Sequence, residues 1–224
     1  MNYQIFRLLE REELETVMSY VSQRQFVDGR ISAHGLAGDV KHNLQIPRSA
    51  TELSEADNIL ISALRRNRDY QRFAYPKSST LPMFSRYDPG MQYGSHIDDA
   101  MMKGRSGETI RTDFSLTIFL SPAESYDGGE LVVELPTGEQ EIKLDAGEAV
   151  AYSASSIHHV NPVTRGVRLA AIMWVQSIVR DEQARTILCD LSQAVVKAKE
   201  SGDRDLSLLI NKSFHNLLRY VSEP

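Results

Sequence analysis

Cysteine is almost missing from this chain. Cys189 stands alone among 224 residues, which excludes an internal disulfide and any zinc cluster built on thiolates. Long apolar runs are missing too: the longest, Leu169 to Val175, is far short of the roughly 20 residues needed to cross a bilayer. The opening MNYQIFRLLEREEL is broken by charge too early for the apolar stretch of a secretory signal. Nor is there an excess of positive charge. Lysine and arginine number 25 against 30 acidic residues, a net −5, which argues against nucleic acid or an anionic membrane as partner. Repeats and low-complexity tracts are also absent. What remains is expected to be a soluble cytoplasmic protein. With 42% hydrophobic residues, it can fill one large domain, or one domain with a modest appendage.

The hydrophobic pattern changes twice along the chain. Leu14, Val17, Met18 and Val21 fall on one helical face. A second helix is predicted from Ser54, where SEAD supplies a capping residue followed three positions later by an acid. Gly29 to Arg48 has no clear period and reads as loop or irregular strand. The middle holds about eight short segments rich in β-branched and aromatic residues, among them LPMFSRY, DFSLTIFL, EAVAYS and VRLAAIMWVQ. DPG, SYDGG, PTGE, DAGE and TRG punctuate them as tight turns do. From about Val179 the helical period returns in two stripes divided near Ser201-Gly202. The predicted fold is mainly β with flanking helices (α+β): a double-stranded β-helix, or jelly roll, with N-terminal helices and a C-terminal helical hairpin. Residues 1–178 are assigned to the jelly-roll domain and 179–224 to the helical appendage. Those last helices can pack on their own barrel or bury their apolar stripes across a homodimer axis.

Chemistry concentrates in His96-Ile97-Asp98. Side chains at i and i+2 of an extended chain share a face, so an imidazole and a carboxylate can point together into a barrel. One more imidazole from a distant strand would complete a two-histidine, one-carboxylate triad, which suits non-haem Fe(II) because open coordination positions remain. By itself an HxD pair is as well explained by a hydrogen-bonded pair at a strand end. SSIHHVNPV offers the further histidine. His158 and His159 face opposite sides of a strand, so at most one can join the site; His158 is chosen, with His159 outward or against the site from behind. His34, His42 and His215 lack a carboxylate at ligand spacing and are read as surface or structural residues.

HID, YDGGEL and HHVNPVTRGVR, in this order, resemble the PKHD-type hydroxylases, a bacterial branch of the prolyl-4-hydroxylase-like Fe(II)/2-oxoglutarate dioxygenases. The resemblance runs through RYDPGMQYGSHID (Arg86–Asp98), RTDFSLTIFLS (Arg111–Ser121), YDGGELVV (Tyr126–Val133) and SSIHHVNPVTRGVRLAAIMWVQS (Ser155–Ser177). It implies iron on His96, Asp98 and His158. It also implies the distal carboxylate of 2-oxoglutarate on Arg168, ten positions beyond His158. A guanidinium is a permanently charged, bidentate fork for such a group. PVTRG reads as a turn that would put His158 and Arg168 on neighbouring antiparallel strands, with the rival cation Arg165 at the loop tip. Tyr87 is a candidate to hydrogen-bond the co-substrate, weighed against a core aromatic, and Tyr93 is a lesser one. Thr117 could reach the co-substrate from its strand but is read as facing outward, and Asp99 as a loop acid or one that supports the site from behind.

The activity so implied is hydroxylation of an unactivated C–H bond, with 2-oxoglutarate converted to succinate and CO2 and L-ascorbate (vitamin C) as reductant. Asp98 favours hydroxylation over halogenation, because related halogenases carry a small residue there. The substrate is expected to be a small molecule or peptide, and family association suggests a link to iron uptake. Two other readings compete. A redox-inert, cupin-like metal-binding protein or isomerase would explain HxD…H but gives no reason for Arg168. An interaction module built on the C-terminal helices would leave the triad unexplained.

Overall fold

The computed structural model describes residues 3–33, 35–47 and 54–223. In chain order these form β1 (Tyr3–Arg7), α1 (Arg11–Ser22), β2 (Lys41–His42), β3 (Leu44–Gln45), α2 (Glu55–Arg66) and α3 (Arg68–Ala74). Then follow β4 (Met83–Tyr87), β5 (Gln92–His96), β6 (Phe114–Phe119), β7 (Leu131–Leu135), β8 (Gly138–Ile142), β9 (Glu148–Ser153), β10 (His158–Val160) and β11 (Arg168–Ser177). The helices α4 (Glu182–Glu200) and α5 (Arg204–Val221) close the chain, and shorter strands and turns lie between these elements.

The strands sort into two antiparallel sheets. The larger runs β1-β9-β6-β11-β4-β3 and ends at Val27–Asp28, and the smaller runs β8-β7-β10-β5-β2. Consecutive strands β4 and β5, β6 and β7, and β8 and β9 lie in opposite sheets, as in a jelly roll. Between the sheets lies a core joining Tyr87, Phe119 and Val150 of the larger to Leu131, Val133 and Val160 of the smaller.

Alternation along the larger sheet separates two environments. Phe84, Leu116, Ala151 and Met173 pack outward on the N-terminal helices, against Val17, Val21, Leu60 and Phe73. Their neighbours Ser85, Ser115, Thr117, Tyr152 and Arg168 face the space between the sheets. Helix α2 starts where the sequence pattern puts it. Ser54 Oγ accepts from the Asp57 N–H at 3.1 Å, and the Asp57 carboxylate accepts from the Ser54 N–H at 2.9 Å. Tyr75 turns the chain out of α3 in the left-handed region (φ 44°), before an extended segment begins at Pro76.

Three findings depart from the sequence reading. Tyr3–Arg7 is a strand, pairing with β9 over five residues; it is too short for its pattern to announce it. The described part of the aperiodic stretch contains a turn of 3-10 helix (Gly29–Ser32), a short helix (Gly35–Asp39), β2 and β3, while His34 and Arg48 lie outside the described residues. β10 and β11 belong to opposite sheets, not to neighbouring strands of one sheet. The chain crosses between the sheets after Val160, so His158 and Arg168 approach the interior from either side.

Candidate metal centre and active site

His96 ends β5, and an exposed Ile97 separates it from Asp98, whose side chain is only 5% exposed. His158 opens β10 directly opposite His96. One ligand atom from each of His96, Asp98 and His158 falls within 4.8 Å of the others. His159 points to the other side of β10, opposite Val132, and His42 and His215 are exposed. Among the described residues this is the one group of three or more potential ligands so close together.

Hydrogen bonds orient both imidazoles. His96 Nδ1 lies 2.8 Å from the Gly94 carbonyl, and His158 Nδ1 lies 3.0 Å from that of Ser156. Each carbonyl accepts from Nδ1–H, which assigns the tautomer and leaves Nε2 as the free donor atom for a metal. Asp98 Oδ2 is buried with no hydrogen-bond partner, and His158 Nε2 is 3.8 Å away, beyond hydrogen-bond range. An orphaned buried carboxylate oxygen beside two oriented imidazole nitrogens fits a divalent iron ion. Burial is the main cause that raises the Asp98 carboxyl above its ordinary range; His158, Trp174 and Ser115 pull it back. Burial, with His158 adding to it, lowers His96 to about 3.

A bulge shapes this site. Opposite His158 and Val160 stand His96 and Tyr93, so β5 carries one residue more than β10 over the same length. Tyr93 and His96 therefore meet on one side, with rings stacked 3.6 Å apart. The Tyr152 ring stands edge-on to His158 at 5.2 Å.

Arg168 is 1% exposed and faces the same cavity from β11. Its guanidinium lies 5.1 Å from the centre of the Tyr87 ring and 5.3 Å from that of Phe119. Tyr87 is its register partner on β4. Among the described residues no carboxylate forms an ion pair with Arg168, and its Nε is buried without a partner. Gly129, the second glycine of YDGGEL, makes the room: a Cβ there would lie 3.0 Å from Arg168 Cδ and 2.9 Å from Val163. Arg165 forms an exposed ion pair with Asp127 and takes no part.

Several cavity residues were passed over or given another place by sequence. Thr117, read as outward-facing, is buried and lines the cavity. Asn43 is buried beside Tyr87, and its side-chain amide faces the Tyr87 hydroxyl. Ser115 and the Trp174 indole N–H face Asp98 and favour its charged form. Lys41 reaches in from β2, and burial lowers its ammonium to about 8. Asp99 is exposed at the mouth.

Residues 82–176 match the 2OG-Fe(II) oxygenase superfamily. Over 217 residues, 96% of each chain, the sequence is 44% identical to a PKHD-type hydroxylase of Synechococcus sp. (strain JA-2-3B'a(2-13)). The chain belongs to the PKHD-type hydroxylases. A relative in Paracoccus denitrificans (strain Pd 1222) of the same description is 42% identical over 219 residues, 96% of each chain. The crystal structure of a Pseudomonas putida prolyl-4-hydroxylase shares the fold of this PKHD-type hydroxylase, with a TM-score of 0.60 at 19% identity over 79% of this chain and 92% of that one. The protein is thus a 2-oxoglutarate-dependent hydroxylase of a family that uses iron. Membership sets aside the redox-inert metal protein and the interaction module. No helix among the described residues is long and apolar enough to cross a membrane.

Proposed function

We propose that this PKHD-type hydroxylase hydroxylates an unactivated C–H bond while 2-oxoglutarate is converted to succinate and CO2. His96, Asp98 and His158 would hold Fe(II), which supplies oxygen activation and decarboxylation of the chelated co-substrate. Arg168 receives the distal carboxylate of 2-oxoglutarate, and the Tyr87 hydroxyl bonds the same group. The observation that carries this reading is the buried Arg168 guanidinium without a carboxylate partner, opening into the cavity the triad lines. A buried cation is costly unless an anion completes it.

The residues divide the work. The carbonyls of Gly94 and Ser156 keep the imidazoles aimed, while Trp174 and Ser115 steady the Asp98 carboxylate. Tyr87 and Phe119 wall off water around Arg168, which strengthens its pull on a carboxylate. L-Ascorbate serves as the reductant that returns oxidised iron to the divalent state. The apolar side chains that α5 leaves exposed, Leu206, Leu208 and Leu209, support a homodimer joined through the two C-terminal helices.

The test is oxygen-dependent formation of succinate from 2-oxoglutarate by the Fe(II)-loaded full chain, with and without ascorbate. Succinate above the no-enzyme control, lost in Asp98→Ala, supports the proposal. Iron-loaded protein that consumes no 2-oxoglutarate overturns it, and turnover that ascorbate does not prolong removes the reductant's role.

A further inference from the structure

The cavity holds a cation besides Arg168. Lys41 on β2 stands opposite Tyr93 of β5, so both side chains leave the small sheet on the same, inward face. Lys41 is 4% exposed. Its Nζ donates to Ser32 Oγ at 2.8 Å and to Gln45 Oε1 at 3.4 Å, and both acceptors are neutral. An ammonium has three N–H bonds, so one remains to be placed. Among the described residues no carboxylate forms an ion pair with Lys41, and Asp98 and Asp28 act on it only at longer range. A role limited to tethering Ser32 and Gln45 would need no charge, and burying one for that purpose is costly.

We infer that the substrate of this hydroxylase carries an anionic oxygen group, a carboxylate, and that Lys41 binds it inside the cavity. The inference rests on the proposed function, because Arg168 must be taken by 2-oxoglutarate for the substrate's anion to fall to Lys41. The two cations sit on opposite sheets, Arg168 on β11 and Lys41 on β2, and so divide two anions between them. The layering fixes where the reaction falls. Lys41 Nζ lies over the Tyr93 ring, 5.2 Å from its centre, and that ring is stacked on His96, a metal ligand. One aromatic ring thus separates the anion from the ligand, and the carbon hydroxylated lies a few bonds from the carboxylate. Lys41 is therefore a specificity-determining residue, and the substrate is a small carboxylic acid or a chain end bearing a free carboxylate.

The experiment uses the full chain loaded with Ni(II), which is redox-silent, and saturating 2-oxoglutarate to keep Arg168 occupied. Matched probes, benzoate with benzamide and butyrate with butyramide, are titrated and followed by ligand-observed NMR. We expect each carboxylate to bind about tenfold more tightly than its amide. Lys41→Arg should keep the preference, and in Lys41→Met the ratio should fall to about one, the charge-assisted bond being lost. Each variant's Ni(II) stoichiometry reports whether its site has formed, and the wild-type ratio stands even if Lys41→Met does not fold. Equal binding of acid and amide by the wild type overturns the inference. So does a preference that survives in Lys41→Met, or carboxylates that bind only by displacing 2-oxoglutarate. Failure of 2-oxoglutarate to bind at all would sink the proposed function instead. The effect of Lys41→Met on the ratio, measured then with Ni(II) alone, would still decide the role of Lys41.

Discussion

Burial moves the two proposed ligands on the His96-Ile97-Asp98 segment in opposite directions, raising the Asp98 carboxyl and lowering the His96 imidazole to about 3. Both shifts favour the neutral form. Metal binding needs His96 neutral and Asp98 ionised, so of these two groups only Asp98 is held by burial in the wrong protonation state. Affinity for Co(II), measured by calorimetry between pH 4.5 and 7, should therefore rise with pH, with proton release on binding. An affinity independent of pH across this window would contradict the burial of Asp98. In the metal-free protein the two shifts oppose each other. The depressed pKa of His96 weakens the fold as pH falls from 6.5 toward 3, whereas the raised pKa of Asp98 costs stability as pH rises through its folded value. Arg168→Ala should raise the KM for 2-oxoglutarate by about 100-fold, the scale of one lost charge-assisted pair, and a shift of under threefold would remove Arg168 from the co-substrate site. Trp174→Phe keeps an aromatic ring but loses the N–H facing Asp98, and should weaken metal binding about tenfold.

At the scale of strands and turns, Gly129 is the position most sensitive to a single methyl group. Its φ of +68° strains any side chain, and a Cβ there presses on both Arg168 and Val163. Gly129→Ala should destabilise the protein by about 1–3 kcal/mol and raise the KM for 2-oxoglutarate. Gly138→Ala is the control: φ is +116° but nothing lies within 4 Å, so stability should fall while that KM stays put. Equal KM values in the two variants would mean that Gly129 does not shape the Arg168 pocket. The strands also show what sequence could reveal. The His96 and Asp98 spacing was legible because alternation along an extended chain is local. Arg168 could be named only through the family's motifs, since nothing local says which sheet it joins. Thr117 was misread because β6 is buried on both faces. Its Phe114, Leu116 and Ile118 meet the N-terminal helices, so Ser115 and Thr117, on the face they share with Phe119, look into the site. Lys41 and Asn43 lay hidden in an aperiodic stretch, where only tertiary pairing with β5 and β4 gives the side chains a direction.

The whole molecule is a jelly roll with unequal faces: helices cover the larger sheet, and the site lies between the two sheets. The C-terminal hairpin is attached through a small separate cluster around Val179 and Leu188, and α5 has no buried residue over its 18 positions. If α4 and α5 pair across a homodimer, light scattering should read about twice 25.2 kDa, and Leu208→Glu with Leu209→Glu should return the monomer. A wild type that is monomeric at micromolar concentration contradicts the dimer. The central claim concerns the interior, where one cavity is lined by His96, Asp98 and His158, proposed to hold iron, and by Arg168, proposed to bind the co-substrate carboxylate. It is tested most directly by anaerobic titration of the metal-free protein with Fe(II) and then 2-oxoglutarate, following the visible charge-transfer band of the chelate. The account predicts a saturable band at one equivalent of iron, abolished in Asp98→Ala and weakened in Arg168→Ala. Stoichiometric iron without the band would contradict the co-substrate site, and no iron binding would contradict the triad itself.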